Sequence, residues 1–219
     1  MSRLYGKQHR TLQQQFSTTN MTDRIEQISC HTEFDDDAKG FIRHMDMFFL
    51  TTIDDKGCPT VSYKGGDRGF VKIIDSKTLV FPSYDGNGMF LSMGNITGNA
   101  NIGMLFISFE RPHRIRMQGT ASISQDAKLL VLHKEADFVV TVKLSELWQN
   151  CPRYIPKYEK ARDSRYVSRA ECETPLAEWK RLDLTQDVLP AKDAAKAQAK
   201  GTIDIMEWVG KIQAGAPDA

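Results

Sequence analysis

The first 46 positions of the chain have a helical character, and in the last part of them apolar residues recur at helical spacing. Phe34, Phe41 and Met45 fall on one face of a 3.6-residue repeat. Three aspartates at positions 35–37 precede most of that face, where negative charge suits the positive end of the helix dipole. The pattern predicts helices over Tyr5–Phe16, Asp23–Ser29 and Glu33–Met47.

From Phe48 the pattern changes to short runs separated by turns rich in Asp, Gly, Ser and Lys. Such runs with close turns indicate an antiparallel meander. The run Asn101–Phe109 is apolar on both alternating faces, so we expect it to be covered on both sides. Helices are predicted at Met89–Gly98 and Gln125–Glu135. The predicted strands are Phe48–Ile53, Pro59–Tyr63, Gly69–Ile74, Thr78–Pro82, Asn101–Phe109, Arg114–Ile123 and Phe138–Leu144.

These seven strands predict a mainly β fold with flanking helices (α+β). A doubly wound α/β sheet is disfavoured, because only one strand pair is joined through a helix that suits a parallel crossover. A closed antiparallel barrel is favoured, since closure removes unpaired sheet edges. We expect an N-terminal helical extension at 1–46, the barrel at 47–150, and a C-terminal loop and helical extension at 151–219. Tail helices are predicted at Ala191–Lys200 and Thr202–Gln213.

Composition narrows the class of protein. Hydrophobic residues make up 41% and charged residues 26%, as in globular proteins, and the net charge of +1 gives no bulk reason to expect nucleic acid. The start of the chain lacks the apolar run of a signal peptide, and no segment is apolar enough to span a membrane, so we expect a cytoplasmic protein. The four cysteines and five histidines do not fall at zinc-ligand spacing, so we expect reduced cysteines and no metal site.

The sequence Gly86-Asn87-Gly88 lies between a predicted strand and a predicted helix. It is not a dinucleotide-binding fingerprint, because Leu91 stands where the third glycine would be and no βαβ unit surrounds it. Free backbone N–H groups at a helix start bind phosphate, which makes this segment a candidate anion site. An ordinary turn before a helix is the alternative.

Two predicted strand faces carry groups that suit an anion. Arg114 and Arg116 alternate with apolar residues, so both guanidiniums point the same way and need an anion or carboxylates nearby. Ser62 and Lys64 likewise share a face, next to a Gly-Gly turn that lets backbone approach a planar ligand. The alternatives are a solvated face paired with Asp or Glu for the arginines and a plain strand end for Ser62 and Lys64.

The segment 153–166 mixes tyrosines with basic residues. It suits a solvated loop or a flap over an anionic ligand, and less well a nucleic-acid contact at this net charge. Cys58 has no neighbouring base, so a passive thiol is favoured there. The sequence assigns no catalytic residue.

Six runs of sequence form a set with specific order and spacing: FFLTT at 48–52, GCPTVSYKGG at 57–66, LVFPSYDGNGMF at 79–90, GMLFI at 103–107, RIRMQG at 114–119 and NCPR at 150–153. Together they resemble the pyridoxamine 5'-phosphate oxidase-like FMN-binding split barrels, over residues 34–160. The resemblance implies a six-stranded antiparallel split β-barrel. It also implies a tight homodimer with two FMN molecules bound at the subunit interface.

The resemblance further implies which residues hold the cofactor. One strand would run along the flavin, a second would contact its ring and phosphate, and the next helix start would hold the phosphate. Two arginines would face the ring, where positive charge near its N1 edge favours negative charge on it. The implied cofactor-binding residues are Ser62, Tyr63, Lys64, Gly65, Phe81, Pro82, Ser83, Tyr84, Asn87, Gly88, Arg114 and Arg116.

The chain departs from pyridoxamine phosphate oxidases proper in two places. The helix start Asn87-Gly88-Met89 lacks their basic cluster, and their C-terminal Trp-and-Arg segment is not evident, so the broad branch of the family fits better than vitamin B6 oxidation. The expected function is an FMN-dependent oxidoreductase that relays hydride or electrons between a nicotinamide cofactor or oxygen and a small substrate. The alternative is a non-enzymatic split-barrel module that binds or senses FMN, haem or a related cofactor such as a deazaflavin.

Overall fold

A computed structural model describes residues 2–218. These residues form two compact units, 2–159 and 160–218. The first unit contains the sheet and every segment that carries the predicted site. Within 2–218, no helix combines the length and apolar character needed to cross a membrane.

The helices of the first unit follow local sequence signals. The side chain of Asp35 accepts a hydrogen bond from the backbone N–H of Ala38, and two further aspartates lie in the first turn of that helix. Its residues Ala38 and Ile42 are buried in the core of the sheet. The helices are α1 (Lys7–Gln15), α2 (Thr19–Ser29), α3 (Asp36–His44), α4 (Leu91–Gly98) and the single turn α5 (Ala127–Leu130).

One antiparallel sheet of eight strands forms the body of the first unit. Its order is β3-β2-β6-β7-β8-β5-β4, with β1 paired to β8. The long strand β8 therefore pairs with β1, β5 and β7. The strands are β1 (Cys30–His31), β2 (Met47–Ile53), β3 (Pro59–Gly65), β4 (Lys72–Ile73), β5 (Thr78–Tyr84), β6 (Asn101–Ser108), β7 (His113–Ser124) and β8 (Ala136–Gln149).

The sheet wraps around one apolar interior. The ring of Phe48 on β2 lies 5.0 Å from the ring of Phe81 on β5 and 5.2 Å from that of Phe106 on β6. All three rings are fully buried. Three strands separate β2 from β5 in the sheet order, so the contact between Phe48 and Phe81 requires the sheet to curl back on itself. The mainly β fold with flanking helices is confirmed.

The strand count and several element bounds differ from the sequence prediction. The sheet has eight strands, so the expected count of six is not confirmed. The predicted strand Gly69–Ile74 shortens to two residues, because Gly69 takes a left-handed φ of 76° and Phe70 and Val71 bury their side chains in the core. Only Ala127–Leu130 of the predicted helix Gln125–Glu135 is helical, and β8 begins at Ala136 and continues to Gln149.

The second unit, residues 160–218, contains both predicted tail helices. They are α6 (Ala191–Lys200) and α7 (Ile205–Gln213), preceded by 3-10 turns at Glu178–Arg181 and Asp183–Thr185. Lys180 Nζ lies 2.8 Å from Asp193 Oδ2, and both side chains are buried. Removal of either partner would leave an uncompensated charge in this unit, which makes the pair important for its stability.

His133, in the turn after α5, is a buried histidine with an unsatisfied ring nitrogen. The residue is 5% exposed, and its Nε2 atom has no hydrogen-bond partner among residues 2–218. Burial, together with the positive charge of Lys72, lowers the pKa of the imidazole from 6.5 to about 4. The folded chain therefore binds this proton more weakly than the unfolded chain does. The contribution to stability is complete above pH 6.5 and is lost as the pH falls toward 4.

We expect the free energy of unfolding to fall by about 2.5 kcal/mol through this group between about pH 7.5 and about pH 4.5. His133→Gln should remove that part of the pH dependence, because the amide does not titrate. Chemical denaturation of both proteins at the two pH values measures the difference. His44→Gln, at an exposed position on α3, is the control and should keep the wild-type slope. A His133→Gln protein with an unchanged slope would contradict the assignment.

Candidate functional site

Strand β3 presents its alternate side chains to the two sides of the sheet. Ser62 and Lys64 stand opposite Leu50 and Phe48 of β2. Residues directly opposite in an antiparallel pair share a face. Because Leu50 and Phe48 are fully buried, Ser62 and Lys64 point to the interior side of the sheet. Tyr63 points to the other side and is 62% exposed.

A hydrogen-bonded seam holds helix α4 against the interior side of β2 and β3. Ser92 Oγ lies 3.0 Å from Ser62 Oγ. Asn95 Nδ2 donates to Thr52 Oγ1 at 3.0 Å and to Thr60 Oγ1 at 3.1 Å, and these two hydroxyls are 2.9 Å apart. Both protons of the Asn95 amide nitrogen are used, so the seam fixes the helix on the strands.

The N-terminal end of α4 is directed toward Lys64. Along β3 the contacts pass from Asn95 at Thr60 to Ser92 at Ser62, so helix and strand run in opposite directions. Lys64 lies two residues further along the same face, beyond the first turn of the helix. The positive end of the helix dipole and a lysine ammonium therefore lie on one side of the sheet, an arrangement that favours an anion.

The loop before α4 leaves backbone N–H groups accessible. Gly88 and Phe90 have left-handed φ values of 75° and 48°, and Asn87 Oδ1 accepts a hydrogen bond from the N–H of Met89 at 3.1 Å. Phe90 precedes the helix without supplying a side-chain cap, so the first N–H groups of α4 remain open. The whole loop is exposed. A phosphate could approach it without displacing a side-chain cap.

Lys64 carries an ammonium that lacks an acidic partner. Neither an ion pair nor a hydrogen bond joins its Nζ atom to another side chain in the part of the chain that the structure describes, and burial lowers its pKa. A pKa lowered by burial alone reports a charge removed from water without compensation. An anion bound beside the N-terminal end of α4 would supply the missing counter-charge.

Only the end of strand β5 lies near the candidate site, and its middle is buried in the core. The side chains of Phe81 and Pro82 are buried, Phe81 in the core against Phe48, so neither ring is open to a ligand. Ser83 stands opposite Phe138 of β8, whose ring centroid lies 6.1 Å from that of Phe90. This contact places the end of β5 beside the loop that precedes α4.

Tyr84 is the last residue of β5, and Gly65 is the last residue of β3. Burial raises the pKa of Tyr84, and the negative charges of Asp67 and Glu135 raise it further, so its hydroxyl stays protonated at neutral pH. A Cβ atom on Gly65 would lie 2.7 Å from the ring of Tyr63, so the strand end passes close under that ring.

Arg114 and Arg116 lie on the outer side of the sheet. They alternate with Ile115 and Met117, which are buried in the core, as the sequence pattern predicts. Arg116 is exposed and stands in register with Leu105 on β6 and Trp148 on β8. Its guanidinium is therefore accessible only from outside the sheet.

Arg114 connects β7 to the segment that follows β8. Its Nη2 atom donates to the carbonyl oxygen of Cys151 at 3.0 Å. Within residues 2–218, Arg114 Nε and Asn150 Oδ1 are buried without any hydrogen-bond partner. Arg114 Nε is a donor on β7, and Asn150 Oδ1 is an acceptor in the residue that follows the end of β8. Buried polar atoms without a hydrogen bond are rare in folded proteins.

The three anion-suited patches of the sequence thus fall into two groups on opposite sides of the sheet. Ser62, Lys64 and the Asn87-Gly88 loop converge on the interior side. Arg114 and Arg116 face outward. Strand alternation shows which residues of one strand share a face. It does not relate β3 to β7, because that relation depends on the register through β2 and β6.

Two residues of the site carry no sequence motif. Asn150 is an asparagine at the end of a strand, and Ser92 is a serine in the first turn of a helix, both ordinary positions for those residue types. The nearest signal in the sequence is the NCPR run, which begins at Asn150.

A family model described as pyridoxamine 5'-phosphate oxidase matches residues 34–141 of this chain. No curated protein matches the chain by sequence. Solved structures that match it include HupZ of Group A Streptococcus, with 20% identity and a TM-score of 0.43 over 53% of this chain and 93% of that one. HutZ, the haem storage protein of Vibrio cholerae, has 16% identity and a TM-score of 0.39 over 51% and 91%. General Stress Protein 26 of Bacillus anthracis has 15% identity and a TM-score of 0.39 over 51% and 88%.

Proposed function

Residues 34–141 belong to the pyridoxamine 5'-phosphate oxidase-like family, and on that premise we propose that this chain is an FMN-dependent oxidoreductase that binds FMN between two copies of itself. Its substrate is a small molecule, with a nicotinamide cofactor or oxygen as the second redox partner. The observation that carries the proposal is the unpartnered, desolvated ammonium of Lys64 on the side of the sheet toward which α4 directs its N-terminal end.

The phosphate of FMN fits the interior group. Its charge would compensate Lys64, and its oxygens would accept hydrogen bonds from the open N–H groups of the first turn of α4 and of the Asn87-Gly88 loop. Ser62 is held by Ser92 and so orients the helix rather than the phosphate. The basic cluster missing from the helix start is replaced by a lysine on the facing strand.

The ring of FMN fits the outer group. The pyrimidine edge of an isoalloxazine offers an N–H donor beside carbonyl acceptors. Asn150 Oδ1 would accept from the former and Arg114 Nε would donate to the latter, which satisfies both buried orphan atoms. A haem edge offers carboxylates, which suit Arg114 but leave the Asn150 oxygen without a donor. The donor and acceptor pair therefore favours a flavin.

One FMN can use both groups only if they come from different copies, because they face opposite sides of one sheet. The outer side carries exposed apolar residues, Val61 at 68% and Tyr63 at 62%, which a second copy would cover. A two-fold pair would then contain two equivalent sites, each built from the interior group of one copy and the outer group of the other.

When bound, the flavin supplies hydride and electron transfer, which side chains do not provide. The residues of the chain hold it in place. Lys64 and the helix N–H groups anchor the phosphate, while Arg114 and Asn150 orient the ring edge. The positive charge of Arg114 near that edge favours negative charge on it.

Titration of the flavin-free protein with FMN, followed by flavin fluorescence, tests the proposal. We expect saturable binding at one FMN per chain. Lys64→Met should raise the Kd about 10- to 100-fold, since a charge-assisted contact is lost. Lys56→Met, in the exposed turn between β2 and β3, is the matched control and should change the Kd less than about two-fold.

The absence of FMN binding, or equal effects of the two lysine variants, would contradict the site. The second arm adds NADH or NADPH to the FMN complex and follows bleaching of the flavin absorbance. Bleaching, followed by recovery in air, is expected of an oxidoreductase. Tight binding without reduction by either nucleotide would instead support the non-enzymatic binding module.

A further inference from the structure

Helix α2 carries its apolar residues on the side that faces solvent. Met21, Ile25 and Ile28 follow one another at spacings of four and three residues, which places them on one face of the helix. All three side chains are between 42% and 68% exposed. We call this face the α2 stripe. An amphipathic helix of a globular protein normally turns its apolar stripe toward the core, so the orientation of α2 is inverted.

The polar side of α2 is the side held by the start of the chain. Glu26 accepts hydrogen bonds from Ser2 Oγ at 2.7 Å and from the backbone N–H of Arg3 at 2.6 Å. Asp23 forms an ion pair with Arg10 of α1 at 2.6 Å. The α2 stripe cannot turn inward without breaking these contacts. Its exposure is therefore set by the fold, and contiguous exposed apolar surface marks an interaction site.

The α2 stripe lies beside the outer group of the proposed FMN site, which contains Arg114 and Arg116. Cys30 follows α2 directly and pairs with Trp148 of β8, and Trp148 pairs with Arg116 of β7. Residues in register across antiparallel strands share a face, so these three side chains lie on the outer side of the sheet. Neighbouring strands are about 4.8 Å apart, which puts the end of α2 about 10 Å from Arg116. A second copy that covers the outer group therefore also reaches α2.

The surface of the second copy that meets the outer group carries an exposed apolar run of its own. In the proposed two-fold pair, the loop before α4 of one copy faces the outer group of the other. That loop continues into Met89, Phe90 and Leu91, which are between 54% and 62% exposed. We call these three residues the α4 run. Three consecutive exposed apolar residues are unfavourable in water unless another surface covers them.

We propose that the α2 stripe of one copy packs on the α4 run of the second copy. The contact rests on the shared FMN site proposed above and deepens it, because the α2 stripe takes no part in holding the cofactor. A two-fold pair contains the contact twice, once beside each FMN site. Removal of both apolar surfaces from water drives the association. The helical segment before the sheet thereby keeps the pair closed around the cofactor.

Sedimentation equilibrium of the flavin-free, full-length protein measures the dimer dissociation constant and tests the proposal. We expect Ile25→Lys to raise that constant about 100-fold, because an ammonium cannot be buried against an apolar surface without a partner. Gln27→Lys is the matched control, since it introduces the same residue at an exposed position of α2 outside the stripe. It should change the constant less than about two-fold. Circular dichroism should show that both variants are folded, because both positions are exposed.

A charge pair across the contact identifies the surface that the α2 stripe covers. Leu91→Glu alone should raise the dimer dissociation constant about 10- to 100-fold. The double variant Ile25→Lys/Leu91→Glu should recover at least about ten-fold of the combined loss, because the two new charges meet between copies. Failure of the double variant to recover would overturn the proposal, because the stripe would then cover some other surface.

Three further results would overturn the proposal: a monomeric wild type without FMN, unchanged dimerisation of Ile25→Lys, and equal effects of Ile25→Lys and Gln27→Lys. Titration with FMN separates these results from a failure of the proposed function. An Ile25→Lys protein that stays dimeric and binds one FMN per chain would contradict the docking of α2 alone. A wild type that dimerises as expected but binds no FMN would contradict the FMN site and leave the docking of α2 supported.

Discussion

An equal mixture of the Lys64→Met and Arg114→Leu variants is expected to regain about one quarter of the native FMN sites, although each variant alone binds FMN poorly. The reason is geometric. Lys64 is on the interior side of the sheet and Arg114 is on the outer side, so a complete site takes one from each copy. After subunit exchange about half of the pairs are mixed, and each mixed pair has one site with both native residues.

The mixing experiment measures tight FMN sites by titration before and after exchange of subunits. The control replaces Arg114→Leu by Ser62→Val, which alters the same interior group as Lys64→Met. That second mixture should recover nothing, because every site then lacks one interior residue. Equal recovery in both mixtures, or none in the first, would show that FMN is not shared between copies as we propose.

Gly119→Ala is expected to destabilise the first unit by about 3 kcal/mol, or to prevent its folding. Gly119 follows the bulge where the register of β7 and β8 shifts. A Cβ atom there would overlap the carbonyl oxygen of Lys143 and lie 3.1 Å from its carbon. This obstacle is backbone in the middle of β8, so it cannot move without breaking the ladder between the two strands.

Gly103→Ala on the neighbouring strand β6 is the matched control for Gly119→Ala. A Cβ atom on Gly103 would meet only Thr51 Cβ, at 3.7 Å, an ordinary contact distance. We expect a change below about 0.5 kcal/mol in its free energy of unfolding, measured by chemical denaturation. Similar stabilities of the two alanine variants would disprove the role of close backbone approach at Gly119.

Local pattern was sufficient for much of the fold. Alternation correctly assigned Ile115 and Met117 to the interior, and the helix propensity of the Ala- and Lys-rich segment predicted α6 with its observed bounds. These features depend on a few neighbouring residues. The strand near Gly69 is shorter than the sequence predicted, because core packing by Phe70 and Val71 outweighed their β propensity.

The candidate site was harder to predict from the sequence than the fold was. That Ser62 and Lys64 share a face follows from alternation in one strand. That Arg114 faces the opposite side follows only from pairings between strands that are far apart in the chain. The orphan atoms of Arg114 and Asn150 depend on burial of individual atoms, which no residue pattern encodes.

The pairing of β5 with β8 has a consequence for how the chain reaches its fold. Tyr84 and its register partner Ala136 are 52 positions apart, and the other neighbour of β5 is the two-residue strand β4. On the ribosome the hairpins β2–β3 and β6–β7 can form early, whereas β5 must wait until β8 has been synthesised. Non-local pairings of this kind slow folding and leave an apolar strand exposed to other nascent chains. Slow, cool expression should therefore raise the soluble yield of this protein more than it would for a fold built from local contacts.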